Sequence, residues 1–277
     1  MNLFNNIHKL CFNIKFLTKL HYRNLKNYFK KSLTPLGEPI VTNSVHWIGH
    51  ASVLINLYNN ILVTDPIVGS LVQFKRKVKP SINLKKSDID YILLSHGHMD
   101  HIDFFSLARM NKKSIVLCPK SYVKRIKTIG FNTVIGISKG ETYENNDITI
   151  KCIEANHDGR RYYLGKDYES NAYLITCKDK SVLFAGDTAF TENFKGVESD
   201  VALMPVGCYL PEGFDKMHCT PLQSYNMYKM MKSKMMIPIH YNTFILSLEK
   251  DEDTLDILKN IKDETINIIN IGQTIPI

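Results

Sequence analysis

Four potential metal ligands, His96, His98, Asp100 and His101, fall within the run Ser95-His96-Gly97-His98-Met99-Asp100-His101. The run follows the apolar stretch Tyr91-Ile92-Leu93-Leu94 directly. Few folds can accommodate this. Polar side chains crowded at the end of a buried strand cost stability unless something uses them. Imidazole with carboxylate is the donor set that zinc takes where no thiolate is offered. Gly97 is expected to allow a sharp turn between two ligands. His98 and His101, three apart, can meet across one helical turn. The sequence 102–110 (IDFFSLARM) reads as a helix, so the motif sits in a strand–loop–helix setting.

One loop cannot complete two metal shells. Three more candidates each follow an apolar run: His157 after ITIKCIEAN, Asp187 after SVLFAG and His240 after MMIPI. Taken singly, Asp187 reads equally as a helix N-cap. His157 and His240 read more simply as strand-end histidines. Elsewhere VHWIG, ASVLINLY, ILVT, SIVLC, TVIGI, NAYLITC, DVALMPVG and a final INIIN read as strands. Helices are expected over 120–129, from Pro221 with Thr220 as N-cap, and over 253–262. Strand runs interleaved with helices in each half predict an α/β fold, two packed sheets with helices outside.

The order HxHxDH, a His, Gly-Asp-Thr, then a His after an apolar strand resembles the metallo-β-lactamase superfamily. That resemblance implies an αββα sandwich holding two divalent ions, zinc first, with manganese or iron as alternatives. His96, His98 and His157 would hold one ion, Asp100, His101 and His240 the other, with Asp187 bridging. The phrases WIGHAS, TDPI, FAGDT, MHCTP and PIHYNTF are similar to the branch of N-acylphosphatidylethanolamine-hydrolysing phospholipase D and L-ascorbate-6-phosphate lactonase. The similarity runs from about residue 44 to 246. It implies that His50 and Asp65 orient ligands, and that His218 stands at the substrate end of the site. Asp100 and His218 are the candidate catalytic residues. The implied reaction is hydrolysis by a hydroxide shared between the ions, with a phosphodiester such as N-acylphosphatidylethanolamine as substrate, or a sugar-phosphate or other small lactone. The segment 209–214 lacks the arginine that the resemblance to the phospholipase implies near a phosphodiester; Arg160 and Arg161, just after His157, are the candidates to supply that charge.

Charge is unevenly spread. Seven basic residues and no acid precede Glu38, while the remainder carries 28 basic and 27 acidic residues. This describes a basic arm on a neutral body rather than a nucleic-acid-binding domain. Leu3, Ile7, Leu10, Ile14 and Leu17 recur at spacings of four and three, predicting an amphipathic helix over 1–32. Residues 1–43 are therefore taken as a helical arm and linker, and 44–277 as the catalytic domain. The arm fits contact with an anionic membrane, packing on its own domain, a homo-oligomer contact or a targeting peptide. No apolar run reaches the length needed to span a bilayer. Six cysteines without CxxC pairing read as reduced thiols, and the expected location is cytoplasmic, with peripheral membrane contact.

Overall fold

The computed structural model describes residues 3–163 and 169–277; of residues 3–13 and 163 it describes the backbone only. The chain opens with helix α1 (Leu3–Tyr28). The arm was expected to be helical over 1–32; residues 1 and 2 lie outside the described residues, and the helix stops at Tyr28. The side chains of Leu3, Ile7 and Leu10 also lie outside them. An extended segment, in which Leu33 makes an isolated bridge with Val78 outside either sheet, then leads to the first sheet.

That sheet begins as an antiparallel meander of β1 (Ser44–Gly49), β2 (Ser52–Leu57) and β3 (Asn60–Thr64). It continues in parallel through β4 (Tyr91–Leu93), β5 (Ile115–Cys118) and β6 (Thr133–Gly136). The short helices α2 (Phe104–Ala108) and α3 (Val123–Lys127) make the crossovers. Asp103 caps α2 by accepting from the Ser106 amide at 2.9 Å.

The second sheet repeats the plan. β7 (Thr142–Asn145), β8 (Ile148–Glu154), β9 (Asn171–Cys177) and β10 (Lys180–Phe184) are antiparallel. β11 (Glu198–Pro205) and β12 (Lys232–Ile239) then add in parallel. Between them lies α4 (Pro221–Met230), closed by a capping box of Thr220 and Gln223. After α5 (Asp251–Ile261), β13 (Thr274–Pro276) returns to pair with β1.

Alternation sorts the side chains into layers. Val53, Ile55 and Leu57 of β2 face Ile148, Ile150 and Cys152 of β8 in the core between the sheets. Leu54 and Ile92 point the other way, onto Ile102, Leu107 and Ile126 beneath α2 and α3. Each of these fully buried aliphatic side chains contributes about 1.5–3 kcal/mol. The result is the expected αββα sandwich.

Two expectations about strands are corrected. INIIN (266–270) forms no strand: Ile269 is buried, but only Ile266 makes a bridge, to Met236. The last strand lies later, at β13. β7 was not anticipated, because its TYEN sequence has no apolar alternation. Cys118, Cys152, Cys177, Cys208 and Cys219 are all free and buried.

Candidate metal centre

Strand ends build the site. The parallel strands stop in register, with Thr64 beside Leu93 and Pro205 beside Ile239. Asp65 therefore follows β3, the HGHMDH loop follows β4, Asp187 follows β10 and His240 follows β12, all at one edge of the sandwich. His50 after β1 and His157 after β8 complete the ring. Backbone geometry turns several of these side chains inward. Asp65, His50 and His240 have φ of 33°, 57° and 65°, and Cys208 beside them has 65°. Such left-handed non-glycine residues cost about 1–3 kcal/mol each and cluster where function over-determines them.

Gly97 is required for a reason other than the expected turn. A Cβ there would lie 1.8 Å from Tyr122 Oη and 2.7 Å from the Gly159 carbonyl, to which Gly97 N donates. Gly207, after β11, is equally constrained: a Cβ would sit 2.2 Å from the His240 carbonyl oxygen.

Seven of the ten histidines converge here, in overlapping groups that could hold metal ions: His50–Asp100–His101–His240, His96–His98–His157, His96–His101–Asp187 and His157–Asp187–His218. Asp187 joins the last two to each other. His101 Nε2 lies 3.1 Å from Asp187 Oδ2, 3.2 Å from His240 Nε2 and 3.5 Å from Asp100 Oδ2. His240 Nε2 lies 3.1 Å from Asp187 Oδ1 and 3.5 Å from Asp100 Oδ2. Donor atoms around a tetrahedral ion with bonds of 2.0–2.1 Å are spaced by about 3.3 Å. On the other side His157 Nε2 is 3.2 Å from His98 Nδ1, and His96 Nε2 is 3.9 Å from Asp187 Oδ2.

The hydrogen bonds behind the rings decide which nitrogens carry protons. Buried Asp65 accepts from the Ser95 amide at 2.8 Å and from the Ser95 hydroxyl. It also accepts from His101 Nδ1 at 2.6 Å. With its proton given to Asp65, the Ser95 oxygen can only accept from His96 Nδ1, 2.9 Å away. His157 Nδ1 donates to the Met217 carbonyl at 2.6 Å. In neutral rings all three Nε2 atoms then keep lone pairs, and all three face inward. His96 Nε2 and both Asp187 oxygens are buried without a hydrogen-bond partner. An array of lone pairs and a carboxylate facing one space is what a cation would satisfy. The donor set therefore fits two divalent ions.

Burial, reinforced by His101, His98 and His157, holds the His96 ring well below the usual imidazole value. Burial and then His157 lower His98 to about 4, and burial takes His50 to about 3. Neutral His50 donates to Asp100 Oδ2 at 2.9 Å. Burial is the largest single influence on His101 and His240 and opposes their charge, but in the metal-free chain the neighbouring acidic groups, Asp187 first, together outweigh it and hold both rings well above the usual value. Asp187 and Asp100, although buried, stay well below the carboxylate range because of neighbouring imidazoles, His101 first.

Every residue singled out in the sequence lies at this centre except Arg160 and Arg161. Arg160 pairs with Asp158 at 2.6 Å. Arg161 donates to the Gly97 and Ile102 carbonyls at 3.1 and 2.8 Å, bracing the loop instead of offering free charge. His218 stands inside the cradle, Nδ1 3.5 Å from Asp187 Oδ2, with its ring 5.0 Å from that of His157. Ser95 was missed as a functional residue; its position between Leu94 and His96 was the available signal. Thr243 was missed too. Its hydroxyl accepts from the His50 amide at 2.6 Å.

The chain is similar to known proteins. N-acyl-phosphatidylethanolamine-hydrolyzing phospholipase D 1 of Caenorhabditis elegans is 28% identical over 262 residues, covering 82% of this chain and 74% of that protein. A metal-dependent hydrolase of Bacillus thuringiensis subsp. konkukian is 26% identical over 245 residues, 83% of this chain and 98% of its own. The structure of Igni18, a metallo hydrolase from the archaeon Ignicoccus hospitalis, shares the fold with a TM-score of 0.65 at 19% identity. The match covers 84% of this chain and 97% of that one. A family model described as a beta-lactamase superfamily domain matches residues 59–241, from the turn before β3 to the residue after His240. The chain belongs to the beta-lactamase superfamily.

Proposed function

We propose that this protein, a metal-dependent hydrolase of its superfamily, cleaves a phosphodiester, with N-acylphosphatidylethanolamine the first substrate to test. His96, His98 and His157 would hold one ion, and Asp100, His101 and His240 the second, with Asp187 between them. Two zinc ions would supply the acidity that ionises water near neutral pH and offset the charge that develops on the ester. The observation that carries the reading is the set of inward Nε2 lone pairs locked by Asp65, Ser95 and the Met217 carbonyl around Asp187.

The chain's own groups have distinct roles. His50 fixes one Asp100 oxygen by donating to it, and Asp100 is the candidate acceptor for the proton of an attacking water. Burial holds the His218 ring well below the usual imidazole value, so it is neutral at pH 7. It therefore serves as a hydrogen-bond donor to a phosphoryl or leaving oxygen rather than as a cation. No Ser or Cys nucleophile is needed. The phosphodiester preference is supported by the similarity to the nematode phospholipase.

A second reading, hydrolysis of a small polar lactone, is favoured by one feature. Beside His157 lies a cavity of about 780 Å³ whose described lining includes Lys120, Glu154, Asn156, Asn193 and Lys216. Zinc-loaded protein assayed against bis-p-nitrophenyl phosphate, N-acylphosphatidylethanolamine and simple lactones separates the two. The first reading expects phosphodiester turnover that Asp187→Ala lowers by orders of magnitude while leaving the fold largely intact. Turnover of lactones alone would replace it with the second. Turnover unchanged by Asp187→Ala would refute both.

A further inference from the structure

A surface helix normally turns its apolar stripe inward and its polar face to water. Over its described side chains, α1 does much the opposite. Its inward face is largely polar. The Arg23 guanidinium donates to the Ser247 and Glu249 carbonyls at 2.8 and 2.9 Å. Asn24 donates to the Ile245 carbonyl at 2.9 Å, and Asn27 to that of Lys75 at 2.8 Å. Outward, Ile14, Leu17, Leu25 and Tyr28 fall on one stripe and are 54, 58, 48 and 66% exposed. Lys15, Lys19 and Lys26 form the adjoining stripe, all exposed and, among the described residues, in no ion pair.

The segment packed against this helix continues the pattern. Residues 66–87 contain six basic side chains and no acid. Val72 at its tip is 96% exposed. Between it and α1 runs an apolar groove of about 790 Å³, lined by Leu17, Leu20, Leu25 and Phe74 among others.

We propose that α1 and the 71–75 loop form a docking face for an anionic lipid bilayer, with the apolar stripe entering the headgroup boundary and the lysines meeting acidic headgroups. Charge selects this occupant over a second copy of the chain: a symmetric contact would set the same lysines against themselves. Adsorption, not insertion, is the mode, since among the described residues no helix is long and apolar enough to cross a membrane. The face lies close to the metal centre. Phe16 meets Phe214 edge-on at 5.1 Å, four residues before His218, and the carbonyls that Arg23 and Asn24 grip, those of Ile245, Ser247 and Glu249, belong to the loop after His240. The inference does not depend on which bond is cleaved.

Sedimentation of the full-length, metal-loaded chain with vesicles tests it. Binding is expected to vesicles containing phosphatidylserine, to weaken as salt is raised, and to be slight on phosphatidylcholine alone. Lys15→Glu/Lys19→Glu/Lys26→Glu should lower affinity about 100-fold or more. Leu17→Ser/Leu25→Ser should lower it about tenfold or more. All five side chains are exposed, so both variants should retain native far-UV circular dichroism. Failure to bind acidic vesicles, equal binding to both vesicle types, or unchanged affinity in the variants would overturn the proposal. So would a concentration-dependent dimer that the same substitutions dissociate.

Discussion

Asp65→Asn is the change that separates a tuned metal site from a mere cluster of histidines. Asp65 is fully buried and touches no inward-facing nitrogen. Its Oδ1 accepts from the Ser95 amide at 2.8 Å, and an asparagine oxygen can keep that bond. Its Oδ2 accepts from His101 Nδ1 at 2.6 Å, and an asparagine NH2 in that place cannot accept. His101 must then carry its proton on Nε2, aimed at Asp187 and His240, or rotate. Replacing such a supporting partner typically costs about 10–100-fold in metal affinity, or about 1.4–2.8 kcal/mol. The imperfectly matched buried groups should add about 1–3 kcal/mol of destabilisation. Metal retained against a graded chelator, read by inductively coupled plasma mass spectrometry, provides the assay. We expect one ion per chain to be lost far more readily than the other, because the His98–His157 side keeps its Met217 anchor. Retention of two ions at wild-type affinity would refute the tautomer argument.

Two further outcomes follow from the geometry. Gly207→Ala would bring a Cβ to 2.2 Å from the His240 carbonyl oxygen, so that ligand must move; second-site metal and activity should fall together, and full metal content with normal turnover would contradict the packing argument. His101 and His240 are raised well above the usual imidazole value in the metal-free chain by carboxylates, Asp187 foremost, so both are protonated at pH 7 and must lose those protons to bind metal. Uptake at pH 7 should release about two protons per chain, and affinity should rise with pH; calorimetry in buffers of differing ionisation enthalpy would disprove this by finding none.

Much of the site was legible because ligand chemistry is written locally: His96, His98, Asp100 and His101 crowd one strand end, and His157, Asp187 and His240 each close an apolar run. The hub that sets the rings was not legible. Ser95 and Asp65 are thirty residues apart and meet only because β3 and β4 are paired in register. β7 escaped notice because an edge strand can be polar on both faces. INIIN misled because an apolar run predicts burial, which Ile269 satisfies, but not ladder pairing. Periodicity in the arm likewise reveals that a stripe exists without saying which way it faces; Ile14 and Leu17 face outward.

Crystals of the zinc-reconstituted chain, with anomalous differences recorded on both sides of the zinc edge, test the central claim most directly. The account predicts two peaks about 3.5–4 Å apart. One should lie within about 2.0–2.2 Å of His96, His98 and His157, the other within the same reach of Asp100, His101 and His240, with Asp187 between them. A lone peak, or ions held by other side chains while the Nε2 atoms of His101 and His157 stay uncoordinated, would contradict it.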